Sequence, residues 1–320
     1  MLLFDEVERV FLLVAVDLGS NTLRVVEYDC VGKRATAAFE KIVKTADKLA
    51  STGVVDHLAV ERVIYAIREA QEMIDFEGQE VVAVTTETLR RAENADDVIA
   101  RIAQETGVHF RVIDGKEEAA LTLLAVSERL KKLQHKADQF VLVDIGGGST
   151  EIIFSYGDKR FTRSFPIGIV TIAQQYGTLE RIKEALPQEM LPMQMYCAEV
   201  AAEHGEPDSF VGTAGTPTTV AAMKLGQTYA TYDASKINGT ILKKEELAYF
   251  LAKLLRMPFE MREETVGVGR SDLVAAGILI FEQLYTIVGC DSCIVIDDGL
   301  REGVALQACN DSYTGSKDNK

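Results

Sequence analysis

No apolar run in this sequence approaches the ~20 residues that a helix needs to span a bilayer, so no membrane partner is expected. The leading Met1-Leu2-Leu3-Phe4 is followed at once by Asp5, Glu6 and Glu8, the wrong flank for a signal peptide, and a cytoplasmic location is expected. Cysteines are few: Cys30, Cys197, Cys290, Cys293 and Cys309. An odd, scattered set argues against a disulfide framework. Cys290 and Cys293 form a lone CxxC, and Cys293 starts an apolar run through Ile296, so core packing is expected there. The four histidines (His57, His109, His135, His204) are too far apart to suggest metal-ligand spacing. Basic residues are also short, 34 against 49 acidic, for a formal net charge of −15. A field of that sign repels nucleic acid. A polyanionic substrate would have to be held by a local cationic cleft and by metal ions.

What is present fits an ordinary globular protein, with 47% hydrophobic and 26% charged residues. A chain of 320 residues suggests roughly two domains. Two segments repeat one pattern. Val14-Ala15-Val16-Asp17-Leu18-Gly19-Ser20-Asn21 continues into Thr22-Leu23-Arg24-Val25-Val26. Val141-Leu142-Val143-Asp144-Ile145-Gly146-Gly147-Gly148-Ser149 continues into Thr150-Glu151-Ile152-Ile153. Each predicts a buried β-branched strand, an Asp-x-Gly turn and a second strand. The two aspartates lie 144 − 17 = 127 residues apart, about one domain. Small residues in such turns let backbone N–H groups approach phosphate oxygens, and the strand-end Asp can hold a hydrated divalent cation.

The remaining pattern predicts an α/β architecture. Strands are expected at 35–43, 81–84, 108–113, 209–213 and 293–296, and helices near 58–74, 96–105, 117–133, 217–224, 244–255 and 271–287. Residues 311–320 are polar and read as a disordered tail.

Both repeats, with Arg24, resemble the two phosphate loops of the exopolyphosphatase/guanosine pentaphosphate phosphatase family. Further segments resemble that family in the same order. They are Thr85-Thr86-Glu87-Thr88-Leu89-Arg90, Ile113-Asp114-Gly115-Lys116-Glu117-Glu118-Ala119, Phe165-Pro166-Ile167-Gly168, Val211-Gly212-Thr213-Ala214-Gly215-Thr216 and Gly299-Leu300-Arg301-Glu302-Gly303. The resemblance implies two actin-like (ribonuclease H-like) domains around a cleft: residues 1–122, and residues 123–310 with a closing helix (299–310) packing back on the first. Departures are Ala120 where the family has an arginine, Asn238 before Gly239 where a histidine is common, and Ala214 in place of a glycine.

The resemblance further implies release of terminal phosphate from inorganic polyphosphate, from guanosine pentaphosphate (pppGpp), or from both, with Mg²⁺ or Mn²⁺. Monomer and homodimer both remain open. Glu118 becomes the expected general base that orients or deprotonates the attacking water, whereas Glu117 reads as a solvated helix-start residue. Asp144 and Glu151 are expected to hold the cation, with Asp17 as a further ligand from the matching loop. Arg24 and Arg90 are expected to clamp terminal phosphates. Backbone and hydroxyl contacts to phosphate are expected from Gly19, Ser20 and Asn21, and from Gly146, Gly147, Gly148 and Ser149. Gly212, Thr213, Gly215 and Thr216 are expected at a second helix-terminal phosphate site. Arg301, at a helix start that disfavours a cation, reads as a substrate or interdomain residue. The alternatives are an ATP-dependent small-molecule kinase of the same superfamily and an actin- or chaperone-like nucleotide switch.

Overall fold

A computed structural model describes residues 11–135 and 138–315. The N-terminal segment used against a signal peptide, and Lys136 and Ala137 before the second repeat, lie outside the described residues. The first half runs β1 (Leu12–Leu18), β2 (Thr22–Asp29), β3 (Arg34–Ile42), α1 (Leu49–Thr52), α2 (His57–Met73), β4 (Glu80–Thr85), α3 (Glu87–Arg91), α4 (Ala95–Thr106), β5 (Phe110–Val112) and α5 (Gly115–Lys132). The second begins with β6 (Gln139–Ile145), β7 (Thr150–Tyr156), β8 (Lys159–Phe165), α6 (Ile169–Tyr176), α7 (Leu179–Glu189) and α8 (Leu191–His204). It continues with β9 (Ser209–Thr213), α9 (Gly215–Lys224), α10 (Ala234–Ile237), β10 (Thr240–Lys243), α11 (Lys244–Arg256), α12 (Phe259–Val266), α13 (Ser271–Val288), β11 (Ser292–Val295) and α14 (Leu300–Gly315).

The strands form two sheets of matching order. The first is β3-β2-β1-β4-β5. The second, read from the corresponding edge, is β8-β7-β6-β9-β11, with β10 added beyond β11. In each, three antiparallel strands are followed by parallel ones, the order of the expected actin-like halves. The central strands are sealed on both faces, and Leu13 to Val16 and Val141 to Val143 have no exposed surface. That burial is why they read as unbroken apolar runs rather than as alternation.

Helix α5 joins the halves through two stripes. Leu121 and Ala125 pack into the core of the first sheet. Ala119, Leu123, Val126 and Leu130 pack against the second. Spacings of three and four residues place each stripe on its own side of one helix. Helix α14 lies on β1, β2 and β4 and beside α5. The two helices approach so closely that a Cβ on Gly303 would sit 2.0 Å from the Leu121 carbonyl oxygen. Residues near the start of both helices, Glu118 of α5 and Leu300 to Glu302 of α14, line one cavity between the sheets.

Two expectations are revised by the fold. Cys30 and Cys309 form a disulfide with Cα atoms 5.4 Å apart, where sequence statistics argued against one. They are 279 positions apart, and only the docking of α14 on β2 brings them together. The tail is ordered further than its polarity suggested, because α14 continues to Gly315. Helix α13 is long and apolar enough to cross a membrane by length and composition, but 67% of it is buried within the fold. Cys293 packs fully buried in the second core, as expected, while Cys290 is partly exposed.

The disulfide carries a direct test. Thiol titration of the unfolded, unreduced chain should find three free cysteines, and five after reduction. Cys309→Ser should lower stability by about 2–4 kcal/mol in non-reducing buffer and much less in reductant. Five free thiols without reduction would contradict the bridge.

Candidate active site

Between the sheets lies a cavity of about 710 Å³ lined from both halves. Its floor is the pair of repeated hairpins. Each closes with the same bond, Gly19 N–H to the Thr22 carbonyl at 3.0 Å and Gly146 N–H to the Ser149 carbonyl at 2.9 Å. The two turns touch: a Cβ on Gly147 would stand 2.8 Å from Ser20 Cβ, so a side chain there would push the hairpins apart. The hairpins also repeat in register. Asp17 is opposite Arg24 in the first, and Asp144 is opposite Glu151 in the second. The same position thus carries a cation in one hairpin and an anion in the other.

Asp17, Gly19, Ser20, Asn21 and Arg24 line the cavity from the first hairpin. Asp144, Gly146, Gly147, Gly148 and Ser149 line it from the second. Glu118 reaches it from the first turn of α5, a start fixed by Asp114, whose carboxylate accepts the Lys116 and Glu117 backbone N–H groups at 2.9 and 2.8 Å. Glu117 points away and makes a two-armed ion pair with Arg111, at 2.7 and 2.8 Å, on the surface. Gly215 lines the cavity at the start of α9, whereas Gly212, Thr213 and Thr216 are sealed beneath it. Thr213 donates to the Asp298 carbonyl at 2.9 Å and so ties down the closing loop. Ala214 adopts φ 65° and ψ −165°, a region favoured by glycine, which accounts for glycine at this place in the resembling family.

Two predicted contacts sit one layer back. Arg90 does not line the cavity. Its guanidinium donates to Glu118, the expected base, at 3.0 Å, to Glu87 at 2.9 Å and to the Ile113 carbonyl at 2.7 Å. Glu151 is 2% exposed and accepts from Ser149 at 2.8 Å and Ser164 at 2.7 Å.

The cleft also departs from the expected cationic one. Seven carboxylates line it (Asp17, Glu40, Glu87, Glu118, Asp144, Asp297, Glu302) against three guanidiniums, those of Arg24, Arg270 and Arg301. All three arginines are paired. Arg24 bonds Glu40 at 3.1 Å, Arg270 reaches Glu40 at 3.4 Å, and Arg301 bonds Glu302 and Asp297, the latter at 3.3 Å. Sequence reasoning missed Glu40 and Arg270. Arg270 opens α13 behind Gly267 and Gly269, where the helix dipole disfavours a cation. The argument that singled out Arg301 could have found it. Asn238, the departure from the common histidine, accepts the Asp297 N–H at 2.7 Å and donates to Asp298 at 3.3 Å, which fixes the loop that presents Arg301.

Crowded, desolvated carboxylates lose acidity. Burial, with a smaller push from Asp144, raises Asp17 to about 7 against the pull of Arg24. Burial raises Asp144 to about 6, opposed by Arg24. Burial and Asp144 raise Glu151 to about 7 against its serine hydrogen bonds. Glu118 is pushed well above its ordinary value by burial and by Glu151, with Arg90 pulling the other way. Asp17 Oδ1 is buried and has no hydrogen-bond partner. That orphaned oxygen, facing a second strand-end carboxylate across the turns, fits a divalent cation. Among the described residues no three His, Cys, Asp or Glu side chains converge. Mg²⁺ and Mn²⁺ accept one or two carboxylates and complete their shell with water and phosphate oxygens.

Residues 34–311 match the model of the Ppx/GppA phosphatase family, and the chain belongs to that family. Exopolyphosphatase 1 of Mycobacterium leprae is 26% identical over 318 residues, which covers 95% of this chain and 91% of that protein. Exopolyphosphatase 2 of Mycobacterium tuberculosis is 28% identical over 320 residues, covering 92% and 97%. The crystal structure of an Aquifex aeolicus family member superposes with a TM-score of 0.72 at 29% identity, covering 95% of this chain and 99% of that one. An exopolyphosphatase from Cytophaga hutchinsonii shares the fold at a TM-score of 0.81 and 20% identity, covering 94% and 98%.

Proposed function

We propose that this member of the Ppx/GppA phosphatase family hydrolyses phosphoanhydrides, releasing the terminal phosphate of inorganic polyphosphate and of pppGpp. The observation that carries the reading is the placement of Glu118, a carboxylate at the junction of the halves that faces the same cavity as both Asp-x-Gly turns. The turns would hold the terminal phosphate through the backbone N–H groups of Gly147 and Gly148 and the hydroxyl of Ser20. Glu118 would take a proton from a water aligned behind the phosphorus, while the bond from phosphorus to the bridging oxygen breaks and the shortened chain leaves. Arg90, bonded to Glu118 and to a fixed backbone carbonyl, orients that carboxylate. Asp17 and Asp144 would hold the divalent cation, with Glu151 supporting from behind. When bound, the ion would neutralise charge on the phosphate oxygens and offset the acidic surplus of the cleft.

Turnover of ATP, tripolyphosphate, long polyphosphate and pppGpp, each with Mg²⁺, tests the reading. Orthophosphate should appear one residue at a time from the polyphosphates, and from the 5′ end of pppGpp. Phosphate transfer from ATP to a small hydroxylated acceptor, with no release from polyphosphate, would favour the kinase alternative.

A further inference from the structure

We infer that Glu40 is a specificity-determining residue: it fills an anion seat between Arg24 and Arg270, and so sets how much affinity the site draws from substrate phosphates beyond the terminal one. The inference rests on the phosphatase reading above. Arg24 and Glu40 are register partners on neighbouring strands of the first sheet, and Arg24 Nε lies 3.1 Å from one carboxylate oxygen. Arg270 comes from the other half of the molecule and places Nη1 3.4 Å from the second oxygen. Glu40 thus sits in a fork of two guanidiniums, one from each half. The surroundings suit an anion independently of Glu40. Arg270 Nη2 stands 3.2 Å from where a Cβ on Gly215 would be, and Gly215 begins the ten-residue helix α9, whose free N–H groups favour negative charge.

A phosphate and a carboxylate compete for this geometry, because both accept two hydrogen bonds from a planar guanidinium. The Arg270 side chain is 9% exposed, so it is held in place, while Arg24 and Glu40 are about a quarter exposed and can be reached from the cavity. All three line the cavity together with the hairpin turns. A substrate phosphate next to the terminal one would meet these arginines only by displacing Glu40. With Glu40 in place, each further phosphate brings repulsion as well as attraction. Without it, two cations become free to bind.

The test is Glu40→Gln and Glu40→Ala, with binding and turnover measured separately in Mg²⁺ on orthophosphate, tripolyphosphate and long polyphosphate. Both variants should bind tripolyphosphate and long polyphosphate about tenfold more tightly, the scale of one regained charge-assisted contact. Orthophosphate, which reaches only the hairpin turns, should bind with little change. The gain should fall on KM and Kd rather than on kcat. The salt slope of log Kd should steepen by about one. If Glu40 merely clasps the halves together, both variants should bind every ligand more weakly, with kcat falling alongside. That result, or an equal gain for orthophosphate, overturns the inference. Because binding is read apart from turnover, the two readings fail separately. Tighter tripolyphosphate binding without phosphate release would retain the seat and reject the phosphatase. Phosphate release with unchanged binding in both variants would do the reverse.

Discussion

Glu118→Gln should lower kcat by about 10²-fold or more, the usual range for loss of a general base, while Glu117→Gln stays within about twofold, the effect expected of a surface residue. The two glutamates are neighbours in sequence and opposites in place. Glu117 is spent on a solvated pair with Arg111, whereas Glu118 is buried, faces the cavity and is bonded by Arg90. Glutamine keeps an oxygen to accept from Arg90 and removes only the capacity to take a proton. Melting temperature and phosphate affinity should therefore stay near those of the parent protein while turnover collapses. Similar losses in both variants would reduce Glu118 to a structural helix-start carboxylate.

The second large effect concerns the divalent cation. Chelator should abolish turnover, and Asp144→Asn should lower kcat/KM by about 10²-fold, since a metal ion supplies several kcal/mol of charge stabilisation. The sign of the pH effect follows from burial. Asp17 and Asp144 titrate near about 7 and about 6, above the ordinary carboxylate value of 3.8. Cation binding needs both ionised, so Mg²⁺ affinity should rise with pH through about 6 to about 7 and level off above. Stability without the cation runs the other way. Between 3.8 and about 7 the folded chain holds protons that the unfolded chain has released, so the melting temperature should fall as pH rises through that window. Mg²⁺ should then recover more at high pH than at low. Asp144→Asn should raise the melting temperature of the cation-free protein at neutral pH and blunt its response to Mg²⁺. Full activity in chelator, or a melting temperature indifferent to Mg²⁺ at every pH, contradicts this arrangement.

The duplicated hairpins were legible because their chemistry is local. A doubly buried strand must be apolar on both faces, and a tight turn must be small. Residues 14–26 and 141–153 state both requirements in order. The opposition of Asp17 to Arg24 and of Asp144 to Glu151 was also present, as the same seven-residue step in each copy. Strand β8 escaped notice because its outward side chains, Lys159, Arg160 and Arg163 among them, hide the pattern of an edge strand half in solvent. Helices α6 to α8 went unread because Pro187 and Pro192 interrupt a stretch whose order comes from packing on α13. The disulfide and the Glu40 fork were not local at all. Each joins residues more than two hundred positions apart, and only the completed fold, with α14 on β2 and Arg270 at the start of α13 reaching Glu40 on β3, brings them into contact.

A guanidinium beside a phosphate loop suggests a phosphate clamp, and Arg90 already gives three of its five donors to acceptors within 3.0 Å. Pairing of this kind runs through the whole cleft, where Arg24, Arg270 and Arg301 are each held by a carboxylate.

The most direct test of the central claim is orthophosphate release from tripolyphosphate, measured with Mg²⁺, with chelator, and for Glu118→Gln with Mg²⁺. The account predicts steady release in the first case, none in the second, and at most about one hundredth of the first rate in the third, as for a lost general base. Release that persists in chelator, or that survives undiminished in Glu118→Gln, would contradict it.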